Sequence, residues 1–325
     1  MGELNLIQKF RAGAPTHPWL IVGPGHDCAV LRWPGDRDQA YKIDQVVEGT
    51  HFVLGGVAPA SVPAGNVVCA TSAGTTAATP KQVGWKAMAK ACSDIAAVGF
   101  WPVAATVAVN LRAGSDERLA LELYDGLCDC CRRFGFGLAG GDVAVSTQGL
   151  SVAVSLVGEG PKDGAWLRSG AKDGDALLVT GTLGGSLRTG KHLDFVPRLE
   201  EARQIRKIAP NGVHACIDIT DGLSRDLHHI CDESGCGAAV FEQQLPRADI
   251  LGNPASTEDI LCNGEDFELL LAVAPNAADK LLAQWGAPVQ LTKIGTIEPL
   301  RNGCTLISAD GSRRPMPNVG YEHRT

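Results

Sequence analysis

At 325 residues, with 45% hydrophobic and 20% charged side chains, the chain has globular composition and enough length for two domains or one large one. A net charge of −7 argues against nonspecific nucleic-acid binding but leaves room for a phosphorylated substrate, because bound Mg²⁺ can supply positive charge locally. The eleven cysteines form no metal framework: Cys128, Cys130 and Cys131 sit in one helix-like run, and Cys231 and Cys236 have no partnering Cys-x-x-C or His pair, so they read as reduced, buried thiols of a cytoplasmic protein; no secretory stretch and no bilayer-length apolar run is found.

In chain order, residues 28–33 and 40–44 read as strands, the second running straight into the carboxylate of Asp44. Residues 59–82 are mostly small side chains with no charge before Lys81, and read as an insertion, either linker or lid. Met88, Ala91, Cys92 and Ile95 predict a helix over 85–98, and a valine-rich strand is expected at 103–111. The clearest helix is 116–134. There Leu119, Leu123, Leu127 and Cys131 recur every four residues, Ser115 stands ready to cap, and Arg132 and Arg133 precede Gly135. Alternating Leu150, Val152, Val154 and Leu156 predict a half-buried strand over 150–157. Turn-rich residues 158–174 then divide the chain into units 1–158 and 159–325. In the second unit, strands are expected at 176–180, 215–219, 267–273 and 289–294, with helices at 221–233 and 277–285. Strands and helices alternate in both units, so the class is α/β or α+β.

Six aspartates each stand among glycines and small residues. Asp27 lies in Gly-His-Asp-Cys, Asp44 in Ile-Asp-Gln-Val, Asp94 in Cys-Ser-Asp-Ile and Asp142 in Ala-Gly-Gly-Asp; Asp218 and Asp221 share Asp-Ile-Thr-Asp-Gly-Leu. Hard carboxylate oxygens placed where the chain turns are what holding Mg²⁺ against a polyphosphate requires, so they point to phosphoryl transfer from a nucleotide. Asp218 is expected at a strand end and Asp221 in the first turn of the next helix, with Thr220 as cap. The plainer alternative is that Asp221 only favours the positive helix end. Gly140 and Gly141 either let the backbone approach a phosphate beside Asp142 or form a turn. His51 is a substrate contact or a satisfied, half-buried histidine, while the adjacent His228 and His229 face different directions and read as structural or solvated. Residues 181–186 lack the Gly-Lys-Ser/Thr of a P-loop, and Lys191 is out of place for one.

Val47-Glu-Gly-Thr-His-Phe52, Cys92-Ser-Asp-Ile-Ala-Ala-Val-Gly99, Leu167-Arg-Ser-Gly-Ala-Lys172, Asp218-Ile-Thr-Asp-Gly-Leu223 and Gly264-Glu-Asp-Phe-Glu-Leu269 follow one another along nearly the whole chain. This series resembles the thiamine-monophosphate kinase family. That family shares an ATP-binding superfamily with aminoimidazole ribonucleotide synthetase, selenophosphate synthetase and the hydrogenase maturation carbamoyl dehydratase. The resemblance implies a two-domain ATP-binding fold: an N-terminal mixed sheet that dimerises into a barrel-like core, and a C-terminal α/β domain that completes the active site. It implies a cytoplasmic homodimer that uses ATP and several Mg²⁺ ions to phosphorylate thiamine monophosphate to thiamine diphosphate by direct in-line transfer.

By matched motif, the resemblance makes Asp27, Asp44, Asp94, Asp142, Asp218 and Asp221 metal ligands, with Asp44, Asp142 and Asp218 at the centre of catalysis. Gly141, Asp142, Arg168 and Thr220 would contact ATP, and His51 and Glu265 the thiamine substrate. The alternatives are a related ATP-dependent enzyme acting on another small substrate, or a nucleotide-binding protein without turnover. A phosphate monoester, with a second pKa of about 6, is already largely ionised at neutral pH. Such a nucleophile needs charge neutralisation and alignment more than a general base. The chain departs from the family pattern at several places, among them the unusual 59–82 insertion and a short segment after Gly185. His26 stands where a second acid is usual beside Asp27, Lys42 and Ile43 where small hydroxyl residues usually precede Asp44, and Asn318 where an aromatic residue is usual.

Overall fold

The structure is a computed structural model and describes residues 17–23, 26–32, 35–55 and 77–321. Residues 59–76 of the expected insertion lie outside these, and its last residues belong to a helix. Thr79 accepts the Gln82 N–H while the Gln82 side chain reaches back to the Thr79 backbone, and Pro80 fills the first helical position. This reciprocal cap starts the helix several residues earlier than its apolar spacing indicates.

The first sheet is formed by β1 (Leu20–Val22), β2 (Ala29–Arg32), β3 (Arg37–Val47), β4 (Trp101–Arg112), β5 (Gly137–Ser146) and β6 (Ser151–Pro161). Their spatial order is β1-β2-β3-β6-β4-β5. All neighbours are antiparallel except β4 and β5, which run parallel. Helix α1 (Pro80–Ala97) precedes β4, and α2 (Glu117–Phe134) makes the crossover to β5. Asp116, one residue after the expected Ser115, caps α2 by accepting the Leu119 N–H, and Gly135 closes it at a φ of 69°. Gly140 and Gly141, for which a turn is one of two sequence readings, lie inside the edge strand β5. Glycine and alanine have low strand propensity, so only the pairing partner β4 makes this segment a strand.

The second sheet is built from β7 (Ala176–Thr180), β8 (Val213–Asp218), β9 (Cys236–Phe241), β12 (Leu269–Val273), β13 (Leu291–Pro299), β14 (Cys304–Ile307) and β15 (Arg313–Pro315). The order is β15-β14-β9-β13-β7-β12-β8, antiparallel except where β14 meets β9. Between these strands stand α3 (Ser186–Thr189), α4 (Lys191–Asp194), α5 (Leu199–Ile208), α6 (Leu223–Ser234), α7 (Thr257–Cys262), α8 (Pro275–Gln284) and the small hairpin β10 (Asp249–Ile250)–β11 (Asn253–Pro254). Strands β7 and β12 are buried at every residue, which is why they read as unbroken apolar runs rather than alternating ones.

Helix α1 joins the two halves of this mixed α/β architecture. It packs on β3 and β6 of the first sheet and also touches β8 of the second. Its small residues permit a close crossing with α2: a Cβ at Gly84 would lie 2.0 Å from the Leu123 carbonyl oxygen, and one at Gly126 would lie 1.9 Å from that of Lys81. This tight core holds Lys90, Ser93 and Asp94 of α1 against the ends of β3 and β8.

Candidate active site

Carboxylate oxygens of Asp27, Asp94 and Asp218 lie within 4.8 Å of one another, and all three side chains are buried. They come from different elements: Asp27 just before β2, Asp94 in α1, and Asp218 as the last residue of β8. The Ser93 hydroxyl donates to Asp218 Oδ2 at 2.6 Å. Residues two apart on a strand share a face, so Lys42 and Asp44 of β3 both turn toward α1. Lys42 Nζ lies 2.8 Å from Asp94 Oδ1 and 3.8 Å from Asp44 Oδ2, and Lys90 Nζ lies 2.9 Å from Asp44 Oδ1. Arg168 holds Asp27 through Nη2 at 2.6 Å and Nε at 3.2 Å, and its own N–H reaches His26 Nδ1 at 3.4 Å.

The electrostatics follow from crowding. Burial pushes the Asp218 carboxyl up to about 6, with the Asp27 charge adding to the effect. Burial also holds Asp94 well above the ordinary range, and Asp218, Asp44 and Asp27 reinforce this against the opposing pull of Lys42. Asp44 is half-buried, yet Lys42 and Lys90 outweigh its desolvation and keep it below the ordinary range. Buried acids that resist ionising together, with oxygens this close, fit a small hard cation such as Mg²⁺.

A second group lies beyond Arg168. Asp221, Asp226 and His229 also bring ligand atoms within 4.8 Å of one another. Helix α6 opens at Leu223, so Asp221 precedes its first turn, and Thr220 is not the cap. The Asp226 carboxylate instead accepts the N–H groups of Thr220 at 2.9 Å and Asp221 at 3.1 Å. Burial and the neighbouring Asp221 hold Asp226 well above the ordinary range. Burial, then Arg168 and Arg225, lower His229 to about 4. His229 thus faces this acidic group, while His228 is occupied by the Ser224 carbonyl at 2.7 Å. The C-terminal segment closes over the loop, the Tyr321 N–H donating to the Asp221 carbonyl at 3.0 Å.

His51 and Glu265 meet through a lysine that sequence reasoning passed over. Lys86 of α1, with a fully buried side chain, lies 2.8 Å from Glu265 Oε2 and donates to the His51 carbonyl at 2.7 Å. His51 Nδ1 in turn accepts the Val47 N–H at 3.1 Å. Glu265 is half-buried, and Lys86 and His192 outweigh its desolvation and hold its carboxyl below the ordinary range. Glu265 and Phe267 have φ values of 63° and 51°, a left-handed backbone that costs a side-chain-bearing residue free energy and clusters at ligand sites.

Asp142 stands apart. It pairs with Ala108, which pairs with Ala153, and this register turns it to the sheet face opposite Asp44 and α1. It is exposed, as is almost all of β5. Gly141 has no side chain because a Cβ there would lie 2.2 Å from the Val107 carbonyl oxygen, so the glycine serves the approach of β5 to β4. Of the six aspartates, three share one cluster, Asp44 joins it through Lys42, Asp221 belongs to the second group, and Asp142 lies on the outer edge. Lys90, Lys86 and Asp226 were missed by sequence reasoning. Their only signal is a charge on an otherwise buried helix face.

The N-terminal-domain pattern of AIR synthase related proteins matches residues 25–159, and the C-terminal-domain pattern matches residues 143–303. The chain therefore belongs to the AIR synthase related family. It is 34% identical over 311 residues to the thiamine-monophosphate kinase of Rhodopirellula baltica, covering 91% of this chain and 89% of that one. It is 31% identical over 351 residues to that of Escherichia coli K12, covering 99% and 98%. Within the family, the chain falls among the thiamine-monophosphate kinases. The solved structure of AaThiL complexed with AMPPCP and TMP shares the fold at a TM-score of 0.78 and 24% identity, covering 99% of this chain and 97% of that one.

Proposed function

We propose that the chain transfers the terminal phosphoryl group of ATP to thiamine monophosphate in a Mg²⁺-dependent, direct in-line reaction that yields thiamine diphosphate. The observation that carries this reading is the buried Asp27–Asp94–Asp218 cluster at the junction of the two sheets. Asp27, Asp44, Asp94, Asp218 and Asp221 would hold Mg²⁺, with Asp44 and Asp218 nearest the chemistry. When bound, the ions neutralise the phosphate oxygens of donor and acceptor. Arg168 and Thr220, between the two acidic groups, serve the nucleotide. His51 and Glu265, joined by Lys86, serve the thiamine phosphate. No strong general base is needed, because the acceptor phosphate is already anionic.

Asp142 and Gly141 complete the nucleotide site in a homodimer. Support for that dimer comes from β5, which among the described residues pairs only with β4 and carries the exposed Val143 and Val145, an edge that suits a second copy. Residues 1–158 form the dimerising unit and 159–325 the unit that completes the site. No described helix is long and apolar enough to cross a membrane. The ten described cysteines are all free, in keeping with a reducing cytoplasm. The test is ADP release on adding thiamine monophosphate with Mg²⁺ and ATP. Turnover that ignores thiamine monophosphate and answers another metabolite would favour a different enzyme of the same family.

A further inference from the structure

Four buried or half-buried carboxylates, Asp27, Asp44, Asp94 and Asp218, converge where α1 meets β3 and β8, and three cationic side chains already stand among them. Arg168 takes Asp27, Lys90 takes Asp44, and Lys42 lies between Asp94 and Asp44. Among the described residues no ion pair reaches Asp218, whose hydrogen-bond partner is the neutral Ser93 hydroxyl. The fixed charge of the centre is thus nearly balanced on the Asp44–Asp94 side and unbalanced on the Asp218 side.

Lys42 is fixed in this position. Its stem rises from the middle of β3, paired with Leu156 of β6 on the face covered by α1. Its ammonium touches an Asp94 oxygen at 2.8 Å and stands 3.8 Å from an Asp44 oxygen, between the two carboxylates. A divalent ion bridging Asp44 and Asp94 would have to expel this ammonium or sit beside it, and like charges a few ångströms apart repel strongly in a half-buried site.

We infer that Lys42 is a resident cation occupying the seat between Asp44 and Asp94, so that the nucleotide-loaded site takes up one divalent ion fewer than its carboxylates would otherwise hold. The inference rests on the kinase reading above for the nucleotide. It deepens that reading by assigning the incoming metal to the Asp218 side. Lys42 is a positioning residue here: it fixes Asp44 and Asp94 in the absence of a metal and supplies by itself part of the positive charge of the site.

Mn²⁺ uptake, counted by electron paramagnetic resonance in the presence of a non-hydrolysable ATP analogue and without thiamine phosphate, tests this. Lys42→Ser should bind one more Mn²⁺ per chain than the parent, while Lys42→Arg, which keeps the charge, should match the parent. Circular dichroism shows that each variant is folded, and Lys42→Met serves as a second neutral variant should Lys42→Ser fail to fold. Equal, non-zero uptake in parent and neutral variants overturns the role of Lys42 and leaves the kinase reading standing. An unchanged count with weaker nucleotide binding also overturns it, making Lys42 a phosphate ligand instead. No Mn²⁺ uptake by any form removes the metal-dependent reading itself.

Discussion

The two ends of the site are built on opposite electrostatic plans. At the Glu265 end the buried lysine has its partner: Lys86 neutralises Glu265 and also donates to the His51 carbonyl. At the Asp218 end, carboxylates are pressed together until burial and mutual repulsion raise Asp94 and Asp218 above their ordinary range. The first arrangement is complete without a ligand and can recognise one by shape and hydrogen bonding. The second is left short of positive charge, and an incoming cation lowers its energy. Under the kinase proposal, recognition would fall to the first arrangement and phosphoryl transfer to the second.

Breaking the balanced end should have the largest effect. Lys86→Met leaves the half-buried Glu265 without its counter-charge, and removing one partner of a buried pair costs about 3–5 kcal/mol; urea denaturation at pH 7.5 should show a loss of that size. A variant as stable as the parent would mean that Glu265 reaches water and that the end is not closed. Breaking the unbalanced end should act on turnover. Asp218→Asn is expected to slow ADP release by about 100-fold, equivalent to ~2.7 kcal/mol of barrier, and Asp44→Asn by at least about tenfold. An unchanged rate in either variant would remove that residue from the metal site.

The same variant sharpens the contrast through pH. Asp218 titrates near 6 in the folded chain against an ordinary 3.8, so between these values the folded state holds the proton more firmly than the unfolded one. Stability from this group is therefore greatest below about pH 4 and falls as pH rises toward 6, with Asp94 acting in the same direction. Without metal, Asp218→Asn should flatten that part of the slope and melt above the parent at pH 7.5, while Mg²⁺ should raise the melting temperature of the parent alone. A parent whose stability climbs from pH 4 to pH 6 while Asp218→Asn does not would refute the crowding argument. The smallest effect is expected far from both ends: Val143→Glu on β5 should change monomer stability by no more than about 0.5 kcal/mol. It should nevertheless shift a dimer toward monomer in sedimentation.

Legibility in the sequence followed how one-sided each element is. Helix α2 has a single buried face, so its leucines every four residues announced it. Helix α1 is buried on nearly all sides; Met88, Ala91, Cys92 and Ile95 marked its body, but its start is set by a cap rather than by an apolar residue. Strand β5 is an exposed glycine-rich edge with no alternation to read. The acids themselves were conspicuous because they interrupt small-residue segments. Their counter-ions were not, since Lys86 and Lys90 look like ordinary helix lysines until packing places them under β3 and the Asn263–Phe267 turn. Only the three-dimensional crossing of α1 with both sheets reveals which cation belongs to which carboxylate.

That crossing has a mechanical consequence. Asp27 and Asp94 belong to the first sheet and its helix, Asp218 to the second, so a cation held by all three would be a clasp between halves of the molecule. Whatever free energy the bound ion contributes is then shared with the docking of the two sheets. Metal and nucleotide would tighten the seam between them, and chelation would loosen the molecule there before either sheet unravels.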